Sequence, residues 1–158
     1  MSVCWPVDKY KVTSPFGWRV HPIEKTRKHH NGVDLWSSKE PCEVKAFAKG
    51  TVLFAGASKL KKPNGEPNGY GYYITIRHMI DGKYYTSLYC HLKKNTFAVK
   101  EGDKVEAGQV IGVMGTSGAS TGKHLHWEIW KGRTHGWTAD GKGFLDPIEF
   151  VKLHLPKK

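Results

Sequence analysis

The residues with the clearest chemical potential lie in the hexapeptide His124-Leu125-His126-Trp127-Glu128-Ile129. If this run is a strand, alternate side chains point to opposite faces, so the two histidines share one face and the leucine and tryptophan share the other. Two imidazoles directed into one space are the minimum for a metal site or an acid and base pair. The small residues at 118–122 form a flexible run that would leave this face open.

A second candidate group lies in His30-Asn31-Gly32-Val33-Asp34-Leu35. His30 and Asp34 are four residues apart around a glycine, which disfavours a helix. The apolar alternation that begins at Val33 predicts a strand, so a turn into that strand would bring the histidine and the aspartate together. His91, at the end of another predicted strand, adds a further imidazole.

This set of residue types suits a catalytic zinc ion, which takes three protein ligands and leaves a fourth position to water. His30, Asp34 and one histidine of the pair at 124 and 126 would supply the three ligands. Two neutral imidazoles and one carboxylate leave the metal with a net positive charge, which lowers the pKa of bound water and polarises a carbonyl oxygen. The other histidine of the pair and His91 would accept a proton or stabilise an oxyanion.

The composition bounds the fold and the partners. With 158 residues, one domain over residues 1–158 is expected, because two would be small. Many glycines and aromatic residues, with few helical patterns, favour β structure. The formal charge of +11 predicts attraction to polyanions such as nucleic acid, anionic lipid or cell-wall polymers. The cysteines at positions 4, 42 and 90 match no zinc-binding spacing and are expected to be buried free thiols.

Alternating apolar patterns predict the main strands at 42–47, 51–55, 72–78 and 83–91. Asp81-Gly82, between the last two, is a strong hairpin signal. Shorter strands are expected within 101–105 and 107–112, a long polar loop at 56–71, and little regular structure in residues 1–20. Asp146-Pro147-Ile148-Glu149 combines an N-cap, a proline at the first helical position and an acid in the first turn, which predicts a short terminal helix.

In this order, these motifs resemble the lysostaphin-type zinc metallopeptidases, which cut peptide bonds in bacterial peptidoglycan. The similarity covers about residues 13–150 and runs through the segments 14–22, 30–34, 48–52, 71–74, 89–92, 102–105, 108–112 and 122–128. The His-x-Gly-x-Asp and His-x-His motifs are specific when they occur together. The resemblance implies a mainly β fold, an antiparallel β-sheet or sandwich with a long groove, long loops and a short C-terminal helix.

The resemblance also implies a role for each site residue. His30, Asp34 and His126 would bind Zn²⁺, and His91 and His124 would be the catalytic histidines. Because none of the five is missing, a catalytic member of the family is expected rather than a degenerate one. The segments 56–71 and 133–144 are long for the family pattern and would border the groove. The resemblance therefore does not predict which peptide bond of the crosslink or stem is cleaved.

The expected enzyme is a monomeric, bacteriolytic peptidoglycan endopeptidase that acts at the bacterial cell wall. Its basic surface would suit anionic cell-wall polymers. No apolar run reaches the length of a membrane span, and residues 1–6 lack the apolar stretch of a signal peptide. Delivery by a phage or its virion is therefore favoured over secretion.

The remaining histidines are assigned to other positions. His29 is one place out of register with the motif and is not expected to be a ligand. His21 and His78 are predicted to be structural, and His135 and His154 to be solvated on the surface.

Three further features are interpreted as having no direct role in the site. Cys90 should point to the opposite face of its strand from His91, into the core. Trp127 is assigned to the core rather than to a sugar-binding platform. The lysines at 59, 61 and 62 are interpreted as a solvated loop.

Three other classes of function compete with this interpretation. Residues 99–111 resemble the half-motif of biotinyl and lipoyl carrier domains, but no Met-Lys-Met is present, so only the hairpin architecture is shared. Nucleic-acid binding is not expected, because the basic residues are scattered and no recognition motif occurs. A non-catalytic metal-binding or wall-binding module is the third alternative, and intact His91 and His124 argue against it.

Overall fold

The computed structural model of the chain describes residues 2–20 and 26–155. His21, predicted to be structural, lies outside these ranges. Within them the elements are β1 Lys11–Ser14, β2 Gly17–Val20, β3 Arg27–His30, β4 Val33–Trp36, β5 Glu43–Lys45, β6 Gly50–Ala57, β7 Tyr72–Ile80, β8 Lys83–Leu92, β9 Lys104–Val105, β10 Val110–Val113, β11 Leu125–Lys131, β12 Phe144–Leu145 and α1 Pro147–His154. The predicted mainly antiparallel β fold with a short C-terminal helix is confirmed.

The main sheet has the strand order β1-β4-β11-β8-β7-β6-β9, and β12 pairs with the far end of β11. All of its pairs are antiparallel. Two small sheets, β5 with β10 and β2 with β3, lie beside it. Because β11 lies between β4 and β8, three stretches far apart in sequence become neighbours at the centre of the sheet.

The alternation of β11 separates the core from the site. Leu125, Trp127 and Ile129 are fully buried in the hydrophobic cluster, together with Phe47 and residues of β5, β10 and α1. His126 and Glu128 point to the other face, as the pleat requires. Trp127 is therefore a core residue, as predicted.

Two local predictions from turn and cap chemistry are confirmed. Asp81 and Gly82 have φ values of 51° and 77° and join β7 to β8, whose last and first residues pair. This is the left-handed geometry of a two-residue hairpin loop. The Asp146 side chain accepts hydrogen bonds from the backbone N–H groups of Ile148 and Glu149, and Pro147 begins the helix.

The prediction for residues 1–20 was wrong, because β1 and β2 form there. β1 pairs with β4 at the edge of the main sheet, and β2 pairs with β3. Most side chains of these short strands are exposed, so they lack the apolar alternation that reveals a strand in sequence. No helix in the two described ranges has both the length and the apolar character needed to cross a membrane.

Candidate metal centre

Strand register brings the two sequence motifs together. Asp34 in β4 lies directly opposite His126 in β11, so their side chains share one face of the sheet. His30 ends β3 and reaches the same place through the turn at Asn31 and Gly32. A Cβ atom on Gly32 would lie 2.5 Å from the carbonyl oxygen of Trp127, so only glycine lets this turn lie directly against β11.

The three predicted ligands present their atoms to one point. His126 Nδ1 lies 2.9 Å from Asp34 Oδ1, His30 Nε2 lies 3.3 Å from His126 Nδ1, and His30 Nε2 lies 3.5 Å from Asp34 Oδ1. Ligand atoms of a tetrahedral zinc with bonds of about 2.0–2.1 Å are separated by about 3.3–3.4 Å. Among the described residues, this trio is the group of side chains that meets the spacing for a metal ion.

The electrostatics of the trio favour a positive charge beside the Asp34 carboxylate. Burial alone would raise the pKa of Asp34, but hydrogen bonds with His126 and His30 hold that pKa well below its usual range. Burial alone would lower the pKa of His126, but hydrogen bonds with the Asp34 and Glu128 carboxylates raise it to about 9. A cation at this position, whether a proton or a metal ion, is therefore stabilised.

The two predicted catalytic histidines lie beside the trio and against each other. The ring centroids of His91 and His124 are 4.7 Å apart, and His124 Nε2 lies 3.9 Å from Asp34 Oδ1. His91 Nδ1 donates to the carbonyl of Ser117, and His124 Nδ1 donates to the carbonyl of Gly122. When neutral, both rings consequently keep a lone pair on Nε2. Burial lowers the pKa of His91 to about 4, so this ring is neutral at physiological pH.

His91 reaches the site through an unusual backbone conformation. Its φ is 65°, in the left-handed region, and its N–H donates to the carbonyl of Tyr70 instead of continuing the sheet ladder. This breaks the alternation of β8. The predicted location of Cys90 is therefore wrong: the thiol is fully buried, but it lies opposite His126 on the face that carries the site. Burial raises the pKa of Cys90 well above its ordinary value, and the nearby Glu128 and Asp34 charges add to this effect.

The sequence interpretation missed two residues behind the trio. Glu128 is only 3% exposed; its Oε2 lies 2.6 Å from His126 Nε2 and its Oε1 lies 2.6 Å from His135 Nε2. His135 is thus not the solvated surface residue that was predicted. A same-face acid two residues after His126 was a usable signal for Glu128, whereas nothing in the sequence pattern pointed to His135.

The other histidines lie outside the trio. His78 is buried and hydrogen-bonded to the carbonyl of Lys49 and the hydroxyl of Ser87, in agreement with a structural role. The ring of His29 donates to the side chain of Asn31 and is not among the clustered groups. The prediction for His154 was wrong, because its ring stacks on Phe150 and donates to the carbonyl of that residue, so the helix C-terminus holds it against the protein.

Both segments that were predicted to border the groove, 56–71 and 133–144, reach the site. The loop after β6 supplies the carbonyl of Tyr70 to the N–H of His91. The connection between β11 and β12 supplies the carbonyl of Thr138, which accepts a hydrogen bond from the Asn31 side chain. The trio therefore lies on a sheet face to which both of these loops are hydrogen-bonded.

Comparison with known proteins agrees with this geometry. The family described as Peptidase family M23 matches residues 28–138. The DD-carboxypeptidase/endopeptidase Mpg of Neisseria meningitidis is 37% identical over 151 residues, which are 96% of this chain and 29% of that protein. This chain thus spans less than a third of the length of that curated relative.

Two solved structures are similar over almost the whole chain. The catalytic domain of the antimicrobial peptidase lysostaphin from Staphylococcus simulans has a TM-score of 0.69 at 31% identity, with 92% of this chain and 94% of that domain covered. A zinc-containing peptidase from Vibrio cholerae has a TM-score of 0.70 at 28% identity, with 99% of this chain and 41% of that protein covered.

Proposed function

Because the chain belongs to peptidase family M23, we propose that it is a zinc-dependent endopeptidase that hydrolyses peptide bonds in bacterial peptidoglycan. The observation that carries this proposal is the triangle formed by His30 Nε2, Asp34 Oδ1 and His126 Nδ1, with edges of 2.9–3.5 Å. These separations fit one tetrahedral zinc with an open fourth position. The zinc-containing peptidase from Vibrio cholerae supports the metal, and the similarity to the peptidoglycan DD-endopeptidase ShyA of Vibrio cholerae, 35% identical over 156 residues, supports the substrate class.

In this proposal His30, Asp34 and His126 hold zinc, which lowers the pKa of water and polarises a carbonyl oxygen when it is bound. His30 Nδ1 donates to the carbonyl of Pro15, which leaves the lone pair of this ring on Nε2, the nitrogen that faces Asp34. Asp34 contributes the negative charge of the set. The loops on either side of the sheet would hold an extended peptide across the open face.

His91 and His124 are the proposed proton carriers. Each ring donates from Nδ1 to a backbone carbonyl, so each neutral ring can accept a proton only at Nε2. His124 is the nearer to the ligands, with Nε2 3.9 Å from Asp34 Oδ1, and is the proposed acceptor of the proton from the attacking water. A protonated ring in this place can then donate to the leaving amine.

Metal removal tests the proposal directly. The purified chain is treated with a strong chelator, and release of new amino groups from isolated peptidoglycan is measured before and after zinc is added back. We expect activity to disappear and to return with zinc, and we expect Asp34→Asn to stay inactive in both conditions. Full activity after metal analysis has verified zinc removal would exclude the proposed mechanism.

Bacteriolytic action is the finer part of the proposal, and the similarity to an antimicrobial peptidase supports it. Loss of turbidity after the purified chain is added to live cells would test it, and mass spectrometry of the released muropeptides would identify the scissile bond. Folding of residues 1–158 as one domain, the monomeric state and delivery by a phage stay predictions. Size-exclusion chromatography with light scattering tests the monomer, and proteomics of purified virions tests delivery.

A basic hollow supports the proposed hold on anionic wall polymers. Lys104, Thr51 and Arg77 lie opposite one another on three adjacent strands, and Lys49 completes one side of a hollow of about 330 Å³. No acidic side chain from the described part of the chain lines it. Arg77 pairs with Thr86, which pairs with Trp130 of β11. Trp130 is four residues after His126 on the same strand, so Arg77 and His126 lie on the same sheet face. An anionic polymer bound here would lie on the side of the sheet that carries the site.

A further inference from the structure

The Glu128 carboxylate lies behind the candidate metal centre and joins two histidines that approach from different elements. One oxygen is 2.6 Å from Nε2 of His126, on the same strand, and the other is 2.6 Å from Nε2 of His135, in the connection to β12. Glu128 is 3% exposed, so water has little access to either oxygen. A buried carboxylate is tolerated only when its oxygens are hydrogen-bonded, and here two imidazoles provide the bonds.

The bond to His126 determines which of its nitrogens is available to a metal. An imidazole that donates from one nitrogen carries its lone pair on the other. Because Nε2–H of His126 donates to Glu128, the neutral ring presents the lone pair of Nδ1. This nitrogen lies 2.9 Å from Asp34 Oδ1 and 3.3 Å from His30 Nε2, which is the ligand position.

The bond to His135 determines how Glu128 itself is held. The His135 ring lies near the edges or faces of Tyr70, Trp130 and Phe144, with centroid distances of 5.9–6.4 Å. Its side chain is 16% exposed, so the ring is confined on several sides. Without this ring, one oxygen of Glu128 would lose its donor in a buried position and the carboxylate would be free to turn away from His126.

We propose that His135 is a positioning residue for the metal centre, which acts through Glu128 to hold the ring of His126 with Nδ1 directed at the metal. This inference rests on the proposed zinc site. It gives the long connection between β11 and β12 a chemical role in addition to bordering the groove. Partners that orient a metal-binding histidine in this way contribute about 10–100-fold to metal affinity.

The test compares zinc affinity and apoprotein stability in matched variants. His135→Ala removes the donor, and His135→Gln keeps one, because the glutamine amide nitrogen reaches about the position of Nε2. Trp137→Ala is the control, since this side chain is in the same connection but is 66% exposed. Zinc dissociation constants come from competition with a chromophoric chelator, ligand geometry from the visible spectrum of the cobalt-substituted protein, and stability from thermal unfolding of the metal-free chain.

We expect His135→Ala to weaken zinc binding about tenfold and to alter the cobalt spectrum, and His135→Gln to restore both in large part. The control should bind zinc as tightly as the parent chain. If His135→Ala binds zinc as tightly as the parent chain and the control, and only its stability falls, His135 has a structural role and does not position the metal centre. If the parent chain itself fails to bind zinc at these ligands, the proposed function fails instead, so the two failures are distinguishable.

Discussion

Replacement of Gly32 by alanine tests whether close packing of the turn against β11 sets the metal geometry. A Cβ atom there would lie 2.5 Å from the carbonyl oxygen of Trp127, 2.7 Å from Cγ of Glu128 and 3.0 Å from Cε1 of His126. The nearest atom belongs to the backbone of a central strand and cannot rotate away. Restoring a contact of 3.4 Å would require the turn to move by about 0.9 Å.

A displacement of this size is large compared with the roughly 0.2 Å by which metal bonds vary. Since His30 and Asp34 flank the turn, their atoms would move relative to His126 and the triangle would open. We expect Gly32→Ala to cost about 1–3 kcal/mol of unfolding free energy, as overpacking usually does, and to weaken zinc binding at least tenfold.

Zinc titration against a competing chelator and denaturant unfolding of the metal-free chain measure the two effects separately. Gly122→Ala is the matched control, because it lies near His124 but a Cβ there would meet no atom within 4 Å. Equal zinc affinity in the two variants would refute the argument that the glycine of the motif is required for close approach.

Four further predictions follow from the same structure. His91→Ala and His124→Ala should bind zinc like the parent and lose most turnover, measured as amine release from peptidoglycan; a near-normal rate in either would refute its role. Burial lowers the pKa of His78 from 6.5 to about 4, so unfolding takes up a proton between these pH values; this contribution to stability should be complete above about pH 6.5 and fall by roughly 3 kcal/mol towards pH 4. Urea unfolding should show a shallower pH dependence in His78→Asn, and equal slopes would contradict this. In sedimentation assays, Lys104→Gln should bind anionic wall polymer more weakly than the parent, and its binding should depend less on salt. Unchanged binding would show that the basic hollow does not bind the polymer. Zinc at 100 times its dissociation constant should stabilise the fold by about 2.7 kcal/mol in thermal unfolding, and the same gain in Asp34→Asn would mean that zinc binds elsewhere.

The sequence was sufficient to predict the structure where side-chain type and strand period agreed. From Leu125 to Ile129 in β11, apolar and polar residues alternate without interruption, so the period alone predicted that His126 and Trp127 face opposite sides. The aspartic acid, glycine and proline signals at 81–82 and 146–147 depend only on local backbone preferences, and the structure agrees with them. His30, Asp34 and one histidine of the pair at 124 and 126 could be proposed as ligands because each motif is compact in sequence and carries metal-binding side chains. The choice of His126 over His124 came from the family resemblance.

The sequence was insufficient where a long-range contact overrides the local pattern. The left-handed backbone of His91 accompanies a hydrogen bond to the carbonyl of Tyr70, 21 positions earlier, and it places His91 on the same face as Cys90, which keeps its regular register opposite His126. His135 lies in a stretch with no period, and only the folded connection brings it to Glu128. β1 and β2 escaped prediction because edge strands with exposed side chains have little apolar pattern.

The alternation of β11 also means that the core and the metal centre depend on one strand register. Trp127 fills the hydrophobic cluster while its neighbours His126 and Glu128 occupy the site, so a slip of one residue against β4 would exchange the two sets. Such a slip would bury a carboxylate and an imidazole among apolar side chains and expose the indole to water. Hydrophobic burial therefore selects the register in which Asp34 and His126 face each other, and the geometry of the site is fixed by the core before any metal is bound.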